Sequence, residues 1–232
     1  MRRGTRRVLI RAFGAALGVA AVILIGLQAW YLGWIVHYAD HDPRTTAFME
    51  IRQAEGTRID HRWVDYDRIS HWLKRAVIAA EDARFVDHGG IDWTALQKAM
   101  EENREAGGVV RGGSTITQQL AKNLFLSPRQ TYPRKAQEAV IAFMLEAVLD
   151  KRRILELYLN VIEWGDGVFG AAAAARHYYE TPAGSLSRWQ AAVLAARIPN
   201  PRFYDRRGTT PWLLERSGDI HRWSNQVRIP GN

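Results

Sequence analysis

The feature that most constrains this chain is a run of 25 residues, Ala12–Val36, without one formal charge. As a helix rising ~1.5 Å per residue it spans roughly 37 Å, more than the ~30 Å hydrocarbon of a bilayer. A soluble domain rarely buries a helix that is apolar on every side for this length. Arg2, Arg3, Arg6, Arg7 and Arg11 precede the run, and the first acid is Asp40. The positive-inside rule then places residues 1–11 in the cytoplasm and the rest of the chain across the membrane. Trp30, Tyr31, Trp34 and Tyr38 fall near the far interface, where amphipathic rings settle. A cleaved signal, twin-arginine or otherwise, has a shorter apolar core and ends in small residues. This run ends in bulky aromatics, so it reads as a retained single-pass anchor over residues 12–36.

Composition bounds the rest of the chain. The 232 residues are 47% apolar and 24% charged, a globular balance that excludes disorder and collagen-like repeats. There is no cysteine, which excludes a disulfide scaffold, a thiol nucleophile and a cysteine-based metal site. Of the net charge of +8, half lies in the first forty residues, against the membrane. Nucleic acid is therefore not an expected partner, despite the high isoelectric point.

Beyond Asp40 a polar stretch reads as a juxtamembrane linker, 37–62, leading to one domain over 63–232. Its pattern is mainly α. Trp72, Leu73, Ala76, Val77 and Ala80 keep helical spacing. Asp92 suits an N-cap for Trp93–Glu105, and Gly112-Gly113-Ser114 opens Ser114–Leu124. Pro133 opens Arg134–Leu149, and Lys151–Trp164 follows. Ala171–Tyr179 and Ser187–Arg197 complete the set, the last with a Ser187–Gln190 capping box. Trp63, Trp72 and Leu73 suit either a core or a face that dips into the bilayer.

Chemistry concentrates in three places. Between Glu105 and Glu138 there is no acid in 32 residues, while Arg111, Lys122, Arg129, Arg134 and Lys135 supply five cations. Such a window is either a solvated basic face or a surface for a phosphate or diphosphate. Glycines before a helix free backbone N–H groups at its positive end. Thr115, Gln119 and Lys122, at i, i+4 and i+7, share one face of that helix, as a ligand stripe or simply its wet side. Arg134 and Lys135 flank Glu138 at helical spacing, as an ion-pair cluster or as part of a site. Finally, Glu81 and Asp82 end a helix, where the dipole disfavours acids. A carboxylate held there beside Phe85 should have a raised pKa, which suits a general base; capping by Asp82 or Asp87 is the plainer alternative.

Taken in order, these segments resemble glycosyltransferase family 51, the peptidoglycan polymerases. Glu81-Asp82-x-x-Phe85-x-x-His88-x-Gly90 resembles its first motif, and Gly113-Ser114-Thr115-Ile116-Thr117-Gln118-Gln119-Leu120-x-Lys122-Asn123 its second. Arg134-Lys135-x-x-Glu138 is similar to the third. Ile154-Leu155-Glu156-x-Tyr158-Leu159-Asn160, with Gly165 and Gly170, is similar to the fourth, and Arg197-Ile198-Pro199-Asn200-Pro201 to the fifth. The chain stops about 30 residues later, so the expectation is the monofunctional branch, without a transpeptidase domain. Residues 206–232 match no motif.

The resemblance implies a lysozyme-like, mainly α glycosyltransferase domain behind a single N-terminal transmembrane helix. The implied reaction polymerises lipid II into glycan strands, with inversion and release of undecaprenyl diphosphate. Carried over by position, Glu81 is the base and Glu138 the second essential carboxylate, assisting departure of the diphosphate directly or through a bound cation. Asp82, Phe85 and His88 hold the first-motif loop. Ser114, Thr115, Gln118, Gln119, Lys122, Asn123, Arg134 and Lys135 attend the substrate. A divalent cation, Mg²⁺ or Mn²⁺, is allowed, and its ligands are unassigned. Implied partners are lipid II and the growing strand, membrane lipid, moenomycin-type inhibitors, and proteins of wall synthesis or division. The implied place is the bacterial inner membrane, with the domain on the periplasmic side. A membrane-anchored muramidase using two carboxylates, or a wall scaffold without turnover, remains compatible with the same segments. The cationic window weighs against the muramidase, because a neutral glycosidic bond needs no diphosphate clamp.

Overall fold

The structure, a computed structural model, describes residues 3–108 and 112–231, with side chains from Arg11 onward. Arg111, one cation of the acid-free window, lies outside the described residues, as do the side chains of Arg2, Arg3, Arg6 and Arg7.

The long apolar run belongs to α1 (Arg3–Asp40), one continuous helix of 38 residues. Of it, Arg11–Asp40 is long and apolar enough to cross a membrane. Only its first part stands clear of the protein. From Gln28 onward α1 lies against the catalytic body, with Tyr31, Ile35 and Tyr38 buried there. These three sit at i, i+4 and i+7, one helical face. Their rings gather around Phe125, at 5.4 Å from Tyr31 and 6.1 Å from Tyr38. Two of the four aromatics expected at the bilayer interface are thus core residues.

The next segment is α2 (Ala47–Ala54), capped by Thr46, whose hydroxyl accepts from Met49 N at 3.2 Å. The stretch read as a linker is therefore built into the body. Arg52 holds the buried Glu163 through Nη2 at 2.9 Å, and β1 (Asp60–His61) joins a three-stranded sheet. Its other strands are β2 (Glu163–Gly165) and β3 (Val168–Phe169), in the order β1-β3-β2, with β1 parallel and β2 antiparallel to β3. Arg52 thus ties this polar segment to the sheet, while most of its other side chains stay exposed or half-buried.

The remainder is helical. α3 (His71–Glu81), α4 (Trp93–Glu105), α5 (Ile116–Phe125), α6 (Tyr132–Val148) and α7 (Lys151–Val161) precede β2. After β3 come α8 (Ala171–Tyr179), α9 (Arg188–Arg197), α10 (Pro201–Arg207) and α11 (Pro211–Trp223). Three boundaries differ from expectation by two or more residues. α6 begins at Tyr132 rather than Arg134, with Pro133 inside its first turn. α5 begins at Ile116 because Thr115, not Ser114, is the N-cap, in a capping box with Gln118. α7 ends at Val161, and Trp164 instead lies in β2 as a fully buried core residue. Ser187 and Gln190 do form the capping box of α9.

The core has two centres. α9, apolar almost all round from Ala191 to Ala196, packs against α3 and α11. α5 packs against α6 and α7, and α1 docks on α6. Leu73 is fully buried, and Trp63 and Trp72 lean on the same core beneath Arg153 and Arg188. Those two rings are thus explained by packing.

Because α1 is partly core, the point of truncation matters. Each large apolar side chain removed from the core costs ~1.5–3 kcal/mol in burial alone. A chain beginning at Gln28 is expected to fold with nearly the parent's thermal midpoint in detergent. One beginning at Ala39 loses Tyr31, Ile35 and Tyr38 and should melt at least ~5 °C lower. Thermal scans of the two truncations check this.

Candidate active site

A cleft of about 1210 Å³ opens between the end of α3, the start of α5, the first turns of α6, and α11. Its geometry follows from how α3 ends. Glu81 is the last residue of α3 and Asp82 its C-cap. An acid at the negative end of one helix is unfavourable, but Asp82 lies at the positive end of another. Its Oδ2 accepts from Ile116 N, the first N–H of α5, at 3.0 Å. His88 Nε2 donates to the same carboxylate at 2.9 Å, and Asp82 O accepts from Phe85 N.

The expectation that the start of α5 offers free N–H groups to an anion is corrected here. Its first N–H goes to Asp82 and its third, that of Gln118, to the Thr115 hydroxyl. Thr115 in turn donates to Gly90 O at 2.6 Å. Gly90 has φ +91°, and a Cβ there would press on Glu146 and on the Ala142 carbonyl, so a glycine is required. Anion recognition passes to side chains.

Those side chains arrive from two helices. The stripe on α5 faces the cleft as its spacing predicts, and Thr115, Gln119 and Lys122 all line it. Gln119 Nε2 donates to Glu81 Oε2 at 2.7 Å, while Tyr158 Oη donates to Gln119 Oε1 at 2.8 Å. The tyrosine thus fixes the amide so that its N–H end meets the carboxylate. From α6, Arg134 Nη1 reaches Glu138 Oε2 at 2.5 Å, and Lys135 binds Glu138 Oε1. Lys135 Nζ also donates to Ser114 Oγ at 2.7 Å, tying α6 to the turn before α5. Glu138 is buried beneath its two cations.

Burial raises the pKa of Glu81 above the ordinary glutamate value. The Gln119 bond and the charges of Arg216 and Lys122 oppose that rise, and Asp82 adds to it. The rise expected from sequence is present, with desolvation as its main cause. Burial likewise lowers the pKa of Lys122, against the pull of Glu138 and with the push of Arg134 and Lys135. No carboxylate lies within ion-pair distance of Lys122 among the described residues.

Nine of the thirteen residues singled out from sequence line the cleft: Glu81, Asp82, Ser114, Thr115, Gln119, Lys122, Arg134, Lys135 and Glu138. The other four do not line it. Phe85 is a core residue, with Lys151 Nζ 4.5 Å from its ring centre. His88 stands behind Asp82, Gln118 is consumed by the capping box, and Asn123 Nδ2 donates to Gln119 O at 2.8 Å. They hold the wall. Asn160 of the fourth segment is similar in kind, bonded to Val64 N, Val64 O and Glu156 O. Residues the sequence did not single out complete the far wall: Trp212, Arg216 and Trp223 of α11. No motif marked them; an aromatic and an arginine at i, i+4 is the one signal they carry.

With this geometry in view, the comparisons are direct. Residues 48–222 match the family described as Transglycosylase. The chain is 56% identical over 221 residues to the biosynthetic peptidoglycan transglycosylase of Laribacter hongkongensis, covering 92% of this chain and 97% of that one. It is 50% identical over 230 residues to that of Thiobacillus denitrificans, covering 97% and 99%, and 55% identical over 221 residues to that of Dechloromonas aromatica, covering 91% and 96%. The chain belongs to the transglycosylase family and is a peptidoglycan glycosyltransferase.

In this transglycosylase the raised Glu81 has a consequence for stability. The folded state binds the Glu81 proton more tightly than the unfolded state does. Stability from this group is therefore fully present below the unfolded value, about 4.3, and is lost as pH rises through the raised folded value. Glu81→Gln is expected to melt higher than the parent at pH 7.5, with the gap closing below about pH 4. Thermal scans across that range decide it; a Gln variant that melts lower at neutral pH would contradict the assignment.

Proposed function

We propose that this glycosyltransferase polymerises lipid II and releases undecaprenyl diphosphate, with Glu81 as base. The observation that carries the reading is one cleft holding a desolvated carboxylate and, across from it, a carboxylate locked between two cations. Glu81 takes the proton of the acceptor sugar's 4-hydroxyl. That oxygen attacks the anomeric carbon of the growing strand, the bond to the diphosphate breaks, and the centre inverts. The negative charge developing on the leaving diphosphate falls to Lys122, Arg134 and Lys135. Glu138 holds the last two in place before the reaction begins, so that little reorganisation is required.

A divalent cation finds no group of three or more acids or histidines among the described residues. Glu138, the acid nearest the proposed leaving group, already takes Arg134 and Lys135. The donor set does not suit a metal, and no step is routed through one.

The anchor gives the reaction its place. Ala12–Leu27 stands clear of the body, and α1 then docks on α6, which carries Arg134, Lys135 and Glu138. A lipid-linked diphosphate held at the bilayer surface meets these cations first. With arginines ahead of the span, the body lies on the periplasmic face of the inner membrane.

Polymerisation of lipid II by purified protein in detergent tests the reading, with glycan length as readout. Glu81→Gln should retain no more than about a hundredth of the parent rate, at the low end of what a positioned general base contributes. Lys135→Ala should lose roughly 10²-fold, as for one preorganised donor to a developing anion. Because a base works ionised, the rate rises with pH along a limb set by Glu81. Gln119→Leu removes the bond that favours the charged form, so that limb moves to higher pH. A limb that stays in place would remove Glu81 from the base role.

A further inference from the structure

Beyond the charge that Arg216 brings to Glu81, the wall of the cleft formed by α11 is not used by the proposed proton transfer or diphosphate clamp. Trp212, Arg216 and Trp223 lie at i, i+4 and i+11, one face of the helix, and all three line the cleft. Arg216 Nη2 donates to Ala80 O at 3.0 Å, which fixes α11 against α3 one residue before Glu81. Trp212 lies parallel on Tyr204, with ring centres 5.6 Å apart and planes 6° from parallel. Tyr204 is buried, so the plane of Trp212 is set from behind, yet 47% of Trp212 is exposed. Trp223, at the other end of α11, is 43% exposed.

A flat apolar ring of fixed orientation, open to a polar cleft, complements one kind of ligand well. The face of a pyranose ring presents C–H bonds, while its edge presents hydroxyls that need polar partners. The two walls also differ in where they stand. α1 docks on α6 and meets Phe125 of α5, the helices that carry Lys122, Arg134, Lys135 and Glu138. α11 instead packs on α9 and α3. Lys122, Arg134 and Lys135 are on the anchor side with Tyr132 at the start of α6, while Trp212 and Trp223 share the other wall with Arg216, and Glu81 ends α3. Tryptophans also settle at bilayer interfaces, but these stand on the helix whose packing partners do not carry the anchor.

We infer that α11 is a carbohydrate-binding wall, on which Trp212 and Trp223 stack against the sugar rings of glycan lying in the cleft. The ligand class is a polymer of amino sugars, recognised without its diphosphate. The identity of that glycan rests on the polymerase reading above; the stacking itself does not.

The test uses the full chain in detergent and a soluble oligosaccharide of alternating N-acetylglucosamine and N-acetylmuramic acid, free of lipid and diphosphate. Calorimetric titration gives its Kd. Trp212→Ala and Trp223→Ala should each raise Kd roughly fivefold to tenfold, the scale of one lost aromatic contact. Trp212→Phe should recover most of the affinity. Trp189→Ala, an exposed tryptophan of α9 away from the cleft, should leave Kd unchanged. With lipid II, the two alanine variants should make shorter strands. Trp223 has no stacked partner among the described residues, so its variant keeps the test open if Trp212→Ala alters the fold. Equal Kd values for parent and variants overturn the inference, as does a parent that does not bind this glycan. Loss of binding to anionic vesicles with no loss of glycan binding also overturns it, in favour of a membrane contact. A parent that binds glycan through these tryptophans but does not polymerise lipid II would leave the wall standing and remove the polymerase reading. A parent that polymerises while both variants bind and elongate like it would do the reverse.

Discussion

The site depends on one carboxylate that does no chemistry. Asp82 ends α3 and, through Ile116 N, begins α5. A single side chain therefore ties Glu81, at the end of α3, to the start of α5, the helix that carries Gln119 and, in its last turn, Lys122. A charge-assisted bond to a helix N-terminus is stronger than a neutral one, and here it is buried. His88 donates to the same group from the other side, so the carboxylate cannot swing toward the cleft. The electrostatic conflict of an acid at a helix C-terminus is resolved by giving that acid to the next helix.

Around that joint the charges are arranged to keep two carboxylates different. Glu81 is crowded, has one amide donor, and sits where ionisation is costly. Glu138 is more fully buried but has a guanidinium and an ammonium in direct contact. The first is suited to accept a proton, the second to hold cations still. Lys122 stands between them without a carboxylate of its own among the described residues, its charge supported from a distance by both acids. A diphosphate would supply the counter-charge that the protein withholds.

Much of this was legible in the sequence, and the reasons for what was not are physical. Helical periodicity located every main helix from α3 to α9, because each buries a stripe of regular spacing. The stripe of Thr115, Gln119 and Lys122 faces the cleft as spacing required. What spacing does not give is which polar groups are consumed internally. Gln118 reads as a ligand until the capping box uses it, and the N–H of Ile116 that opens α5 goes to Asp82. Phe85 and His88 share a motif with Glu81 because they hold its loop, not because they touch what it touches. The polar stretch before residue 62 read as solvated because Arg52 and Glu163 meet across 111 positions, a pairing that no local pattern announces. α11 was silent for the same reason: its role appears only when α9 and α3 bring it to Glu81.

The anchor and the cleft are one device. Had α1 been a tether, the body would be free to turn, and the cleft would meet the bilayer in any orientation. Gln28 and Gln137 instead exchange amide bonds at 2.9 and 3.0 Å between α1 and α6, and Tyr31, Ile35 and Tyr38 are core residues. The helix long and apolar enough to cross a membrane is thereby docked on the helix that presents Arg134, Lys135 and Glu138. The lipid-borne diphosphate proposed as substrate would have to keep its tail in hydrocarbon while its sugars reach water. Fixing the cationic wall to the anchor, and leaving the aromatic wall on the far side of Glu81, gives the two ends of such a molecule different surroundings within a single cleft.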